Sequence, residues 1–137
     1  MVAFERIEYR ELNGRQQENY NFQKVAGRMA SYGYNCIRLN DDWQGADFLA
    51  VHVNGSDILR VQLKGRLTID RKYEKKDLHI AFLMDESGYV FPHDPFVAFC
   101  IKEGRLKQSS KHWAEKGQRS WPSTPRWALD WLKPYKV

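Results

Sequence analysis

The chain has 137 residues, 42% of them hydrophobic and 28% charged, with a net charge of +5. That composition excludes a disordered or fibrous polypeptide, and the length suits one domain with a substantial core rather than two. No apolar run is long enough to span a bilayer, and the start, with its early acids and no apolar h-region, is read as lacking a secretory signal.

The opening stretch, "MVAFERIEYREL", fits either a short strand or an irregular arm. A helix is expected from about Gly14 to Tyr32. Asn13 and Gln16 have the spacing of a capping box, Phe22, Val25, Ala26, Met29 and Ala30 recur at helical period, and Gly33 ends the run. "YNCIRLN" reads as a short strand, and Asp41 and Asp42 after it could reach a metal, although a loop acid pair is usually solvated. "DFLAVHV" and "ILRVQLKG" are rich in strand formers, and Asn54-Gly55 between them marks a hairpin. "LHIAFLM", "YVFPH" and "FVAFCIK" give further strands, with "DESG" as a turn. His93-Asp94 has no suitably spaced His/Asp set beside it and reads as a turn with a structural histidine. "RLKQSSKHWAEKGQRSW" is polar and loop-like, and "TPRWALDWLKPY" is a short helix with Thr124 as N-cap and Pro125 at its first position. The expected fold is α/β or α+β: an N-terminal helix on a mixed sheet with a central hairpin and a late C-terminal helix.

Cys36 and Cys100 lie in apolar stretches without CxxC spacing or a nearby His. That argues against zinc and for buried thiols in a reducing, cytoplasmic setting. From residue 102 onward, Lys102, Arg105, Lys107, Lys111, Lys116, Arg119, Arg126, Lys133 and Lys136 face only Glu103, Glu115 and Asp130, and the same segment holds Trp113, Trp121, Trp127 and Trp131. Cations mixed with aromatics suit a polyanion. The alternative is that Trp127 and Trp131, four apart, pack a helix onto the core.

The hairpin carries the chemistry. Side chains alternate along a strand, so Gln62 and Lys64 share one face while Val61 and Leu63 take the other. Asp47 opens the partner strand at about the same distance from the turn, which makes it a cross-strand neighbour of Gln62. Glu18 continues the helical stripe of Phe22, Val25 and Met29, so it is either a helix-dipole carboxylate that curls to solvent or a group aimed at the sheet, and the company of Asp47, Gln62 and Lys64 favours the second.

A helix with an acid, "GAD" opening a hairpin strand and "VQLK" on the next strand resemble the PD-(D/E)XK nuclease superfamily, which includes restriction endonucleases and Holliday-junction resolvases. Residues 14–70 carry the likeness. Within the group, "FQKVAGRMASYGYNCIRLNDDWQGADFLAV…LRVQLKGR" is similar to modified-DNA restriction nucleases with Gln-x-Lys in place of Glu-x-Lys. The resemblance implies a restriction-endonuclease-like core over about 14–101, followed by the basic, Trp-rich segment. It implies a Mg²⁺- or Mn²⁺-dependent endonuclease acting on DNA more than RNA, with Asp47, Gln62, the Leu63 carbonyl and Glu18 as metal ligands. Lys64 would orient and activate the attacking water. Apart from the resemblance, Arg66, Arg71, Lys72, Lys75 and Lys76 flank the hairpin exit and either contact backbone phosphates or form a solvated charged loop. Cutting both strands of a duplex calls for two sites, which a homodimer supplies. Two other classes fit the same features: a nucleic-acid-binding module whose weakened acid set holds no metal, and an interaction protein whose basic segment docks an acidic partner.

Overall fold

The computed structural model describes residues 2–106 and 111–137. After an irregular arm with one 3₁₀ turn (Tyr9–Glu11), helix α1 runs from Gly14 to Ala30. Its start is set by the capping box: Gln16 N–H donates to Asn13 Oδ1, and Asn13 N–H donates to Gln16 Oε1, both at 2.9 Å. Gly33 turns the chain with φ +87°, and a Cβ there would lie 2.8 Å from the His52 ring.

Five strands form one sheet in the order β1-β2-β3-β5-β6: β1 (Tyr34–Trp43), β2 (Ala46–His52), β3 (Ile58–Leu63), β5 (Leu78–Met84) and β6 (Ser87–Pro92). All neighbours are antiparallel except β3 and β5. A parallel pair needs a long crossover, and residues 64–77 supply it. Inside it, β4 (Thr68–Asp70) pairs with the distant β7 (Gln118–Ser120) as a separate two-stranded ribbon. Helices α2 (His93–Lys102), α3 (Lys111–Lys116) and α4 (Arg126–Leu132) complete the chain. No described helix is long and apolar enough to cross a membrane.

The sheet separates two cores. On one face, Val25 and Met29 of α1 pack against Phe48, Ala50, Val61, Ala81 and Val90. On the other, Ile80, Phe82 and Phe91 meet α2, the ribbon and the C-terminal helices, with Phe96 fully buried among aromatic rings. Truncating such a phenylalanine costs about 3–5 kcal/mol. The mixed sheet, central hairpin, leading α1 and late α4 are the architecture expected from the sequence.

Several local expectations are corrected. "FVAFCIK" belongs to a helix, α2, rather than a strand. Phe96, Val97 and Cys100 are buried while Ala98 and Ile101 are exposed, a helical period hidden within a continuous apolar run. The polar stretch before residue 121 contains α3 and β7, held down by buried Trp113 and Trp121, although residues 107–110 fall outside the described chain. β1 extends to Trp43, which makes Asp41 and Asp42 strand residues. Pro125, not Thr124, caps α4, without a side-chain bond. The hairpin loop spans five residues, 53–57, where Asn54 Oδ1 accepts from the Ser56 and Asp57 N–H groups at 2.9 and 3.0 Å.

Candidate active site

The β2–β3 register pairs Phe48 with Val61, so Asp47, one step out, stands beside Gln62. Asp47 Oδ2 accepts the Leu63 N–H at 2.8 Å, which ties the carboxylate to the outgoing end of β3. Val61 and Leu63 pack in the α1 core, so alternation turns Gln62 and Lys64 to the opposite face. There the Lys64 ammonium lies 5.1 Å from the centre of the Tyr73 ring. Asp47, Gln62, Leu63 and Lys64 line a cleft of about 1000 Å³ together with Glu18, Asn19 and Phe22 from the first half of α1.

Glu18 is exposed to solvent but lines this cleft, as its place on the helix stripe predicts. The structure thus brings Asp47, Gln62, Leu63, Lys64 and Glu18 to one cavity. It adds Arg38, Leu39 and Asn40 of β1, which sequence reasoning did not single out, and Asp42, which it weighed as a metal ligand and set aside as solvated. No alternation marks them, because adjacent Arg38, Leu39 and Asn40 all line the cleft and the β1–β2 register shifts between Arg38 and Trp43. Arg38 hydrogen-bonds Asn19 Oδ1 and lies 5.3 Å over the Phe22 ring, so it is held in place from α1.

The electrostatics are those of charges partly removed from water. Burial raises the Asp47 carboxyl above its ordinary value. The Leu63 N–H opposes that shift, while Asp42 and Glu18 add to it by repulsion. Burial lowers the Lys64 ammonium, and Lys72 lowers it further. The ion pairs among the described residues are Arg60–Asp77, His93–Asp94 and Arg126–Asp130, so Asp47 and Lys64 share the cleft without a direct bridge.

Gln62 is the telling side chain. Its Nε2 reaches the Leu63 carbonyl at 3.5 Å, but its Oε1 is buried and has no hydrogen-bond partner. A buried acceptor left unmet costs about 1–3 kcal/mol, so such an oxygen fits a cation. No group of three or more His, Cys, Asp or Glu able to hold a metal occurs among the described residues. A hard cation that keeps its own waters needs only one or two protein carboxylates, and Asp47 with the Gln62 oxygen meets that demand.

The five basic residues at the hairpin exit are all exposed and lie outside the cleft lining. Arg66 Nε donates to Ser120 Oγ at 2.7 Å, Arg71 lies 5.2 Å over Trp113 and Lys72 lies 5.3 Å over Tyr73. Lys75, with φ +61°, donates its N–H to Asp94, and Lys76 follows it. The tryptophans of the C-terminal segment are core: Trp113 and Trp121 are buried, and Trp127 and Trp131 pack against the same cluster. His93 is fully buried. Its Nε2 accepts the Asp70 N–H at 3.1 Å and its Nδ1 meets Asp94 at 2.8 Å, so it serves structure, although it begins a helix rather than a turn. Both cysteines are free thiols, with Cys100 buried and Cys36 half-buried. Burial raises them to about 12 and about 11.

No protein-family model and no curated protein matches the chain. Solved structures do. A bacterial homing endonuclease, I-Ssp6803I, superposes with a TM-score of 0.52 at 18% identity, over 90% of this chain and 86% of its own. Hjc, a Holliday junction resolvase from Archaeoglobus fulgidus, gives a TM-score of 0.43 at 13% identity, over 54% of this chain and 70% of its own. With its mixed five-stranded sheet, leading helix and central hairpin, the chain has the restriction-endonuclease-like fold that it shares with the homing endonuclease.

Proposed function

We propose that this protein is a metal-dependent endonuclease that hydrolyses phosphodiester bonds in DNA. The observation that carries this reading is the meeting of Asp47, Gln62 and Lys64 at the head of the hairpin, with Gln62 Oε1 buried and unpartnered. Asp47, Gln62 Oε1, the Leu63 carbonyl and Glu18 would hold Mg²⁺ or Mn²⁺. When bound, that ion offsets the negative charge of the phosphodiester and makes a nearby water more acidic.

The chain's own groups do the rest. Asp47, fixed by the Leu63 N–H, keeps one oxygen directed by the strand and leaves the other for the cleft. Lys64, with its ammonium destabilised by burial, gives up a proton more readily than an exposed lysine and sits where the attacking water must be oriented. In its charged form it stabilises the developing charge on the phosphate, an effect worth about 10²–10³ in rate for one such donor. Arg38, braced by Asn19 and Phe22, supplies a positive group on the far side of the cleft for a neighbouring phosphate. Arg66, Arg71, Lys72, Lys75 and Lys76 extend the positive surface. The whole chain is read as one nuclease domain, with the basic segment from 102 packed onto the core of about 14–101. A homodimer in the cytoplasm would place two clefts on one duplex.

A second reading, a nucleic-acid-binding module without chemistry, is favoured by the neutral Gln62 and by the lack of a three-acid group among the described residues. Cleavage of end-labelled single-stranded, duplex and branched DNA, and of RNA, separates the two. Metal-dependent cutting lost in Asp47→Ala and Lys64→Ala, with both variants folded and still binding, supports the nuclease. Binding without cutting under Mg²⁺ or Mn²⁺ supports the module, and no binding at all defeats both.

A further inference from the structure

We propose that the polar face of the β4–β7 ribbon is a docking strip for duplex DNA that continues the cleft beyond Lys64. The proposal rests on the nucleic-acid reading of the cleft and adds to it a surface and a strandedness.

The ribbon pairs Thr68 with Ser120, Ile69 with Arg119 and Asp70 with Gln118. Ile69 is fully buried, and alternation puts Thr68, Asp70, Gln118 and Ser120 on the opposite, polar face, where Gln118 is exposed, Asp70 and Ser120 are half-buried and Thr68 is itself buried. That face is already organised. Arg66 Nε donates to Ser120 Oγ at 2.7 Å, and Thr68 Oγ1 lies 3.0 Å from both Ser120 Oγ and the Arg66 carbonyl. Among the described residues the terminal nitrogens of Arg66 have no partner, so an anchored guanidinium presents its fork at an exposed position. Asp70, the acid of this face, accepts from the Lys72 N–H at 3.0 Å and from Gln118 Nε2 at 3.4 Å, which orients that amide.

The strip joins the cleft. Gly65 alone separates Lys64 from Arg66, and the ammonium groups of Lys64 and Lys72 lie over the same Tyr73 ring, at 5.1 and 5.3 Å. A phosphate backbone leaving Lys64 therefore meets Lys72 and Arg66 next.

Burial of the rings selects the duplex. Proteins that hold single strands stack bases on exposed aromatics. Here Trp113 and Trp121 are only 7% and 6% exposed, and each carries an arginine, Arg71 at 5.2 Å and Arg119 at 4.8 Å. These two rings of the strip brace cations and are closed to bases, whereas Trp43, at the end of β1, is 51% exposed with Arg60 5.6 Å over it. What remains is a set of fixed donors and charges, which suits phosphates and groove edges. Two strands about 5 Å apart fit the B-DNA major groove, about 12 Å wide, whereas the deep, narrow groove of duplex RNA excludes them.

The test is fluorescence anisotropy of the full chain in EDTA. The probes are labelled duplex DNA, its single strand and duplex RNA of the same sequence, with polyglutamate as competitor. Arg66→Gln and Gln118→Ala probe the strip. Lys24→Ala, on α1 against the other face of the sheet, is the control for loss of charge, and thermal melting checks each fold. The expected result is preference for duplex DNA, with Arg66→Gln weakening it about tenfold and lowering the salt slope by about one. Gln118→Ala should weaken it severalfold and Lys24→Ala should leave it unchanged. Equal binding of the single strand or of duplex RNA, equal loss in Lys24→Ala, displacement of DNA by polyglutamate at matched charge, or absence of binding overturns the strip. Cleavage by wild type in Mg²⁺ is scored separately. Cutting with intact binding by Arg66→Gln overturns the strip and keeps the nuclease. Arg66-dependent duplex binding without cutting does the reverse.

Discussion

Replacing Gln62 with glutamate keeps the buried, unpartnered Oε1, turns the nitrogen that faces the Leu63 carbonyl into an oxygen, and adds a full charge beside Asp47. The Phe48–Val61 register makes residues 47 and 62 cross-strand neighbours, with side chains about 5 Å apart. At an effective dielectric of about 20, two carboxylates at that distance repel by about 3 kcal/mol. For a chain of this length that corresponds to a fall in Tm of roughly 10 °C. A cation between the groups removes the repulsion, so the same energy appears as roughly 100-fold tighter metal binding. Melting curves in EDTA and in Mg²⁺, with calorimetric titration of Mg²⁺, read both halves. Gln62→Glu should melt well below wild type in EDTA and recover in Mg²⁺, while wild type shifts less. An unchanged melting point in EDTA, or a loss that Mg²⁺ does not recover, refutes the placement of this oxygen beside Asp47 as a cation ligand.

Lys64→Met should stabilise the metal-free protein near neutral pH while abolishing cleavage. Because burial lowers the Lys64 value, the folded chain holds that proton less tightly than the unfolded chain. Stability of wild type should therefore rise with pH from the lowered value toward that of an ordinary lysine, and the methionine variant should lack this rise in urea titrations. Arg38→Ala removes a braced cation from the cleft wall. Steady-state cleavage should show KM raised about tenfold with kcat nearly kept, at a stability cost below about 1 kcal/mol; an unchanged KM contradicts its contact with substrate. His93→Ala leaves the Asp70 N–H unmet and a cavity beside Tyr73. It should cost about 3 kcal/mol, roughly 10 °C in Tm, and a smaller loss means the crossover is not pinned by this ring.

Elements governed by neighbouring residues were legible in the sequence. The Asn13–Gln16 box starts α1, Gly33 ends it, and Asn54-Gly55 closes the hairpin, because caps and turns are satisfied within a few residues. Strand alternation placed Gln62 and Lys64 on one face, and matched distances from the turn placed Asp47 beside them, since a hairpin's register follows from its loop. The cleft's composition needed the tertiary structure. Arg38 and Asp42 join it through the irregular stretch of β1 between Arg38, opposite Phe48, and Trp43, opposite Ala46, and the approach of Glu18 depends on how α1 lies across the sheet. α2 reads as a strand locally because its apolar run has no visible period, and only the core packed around Phe96 selects the helix. The β4–β7 ribbon joins residues some fifty positions apart, a pairing that no local propensity encodes. The four C-terminal tryptophans, which composition offered to a polyanion or to the core, are packed inside because burying large rings stabilises the fold more than exposing them.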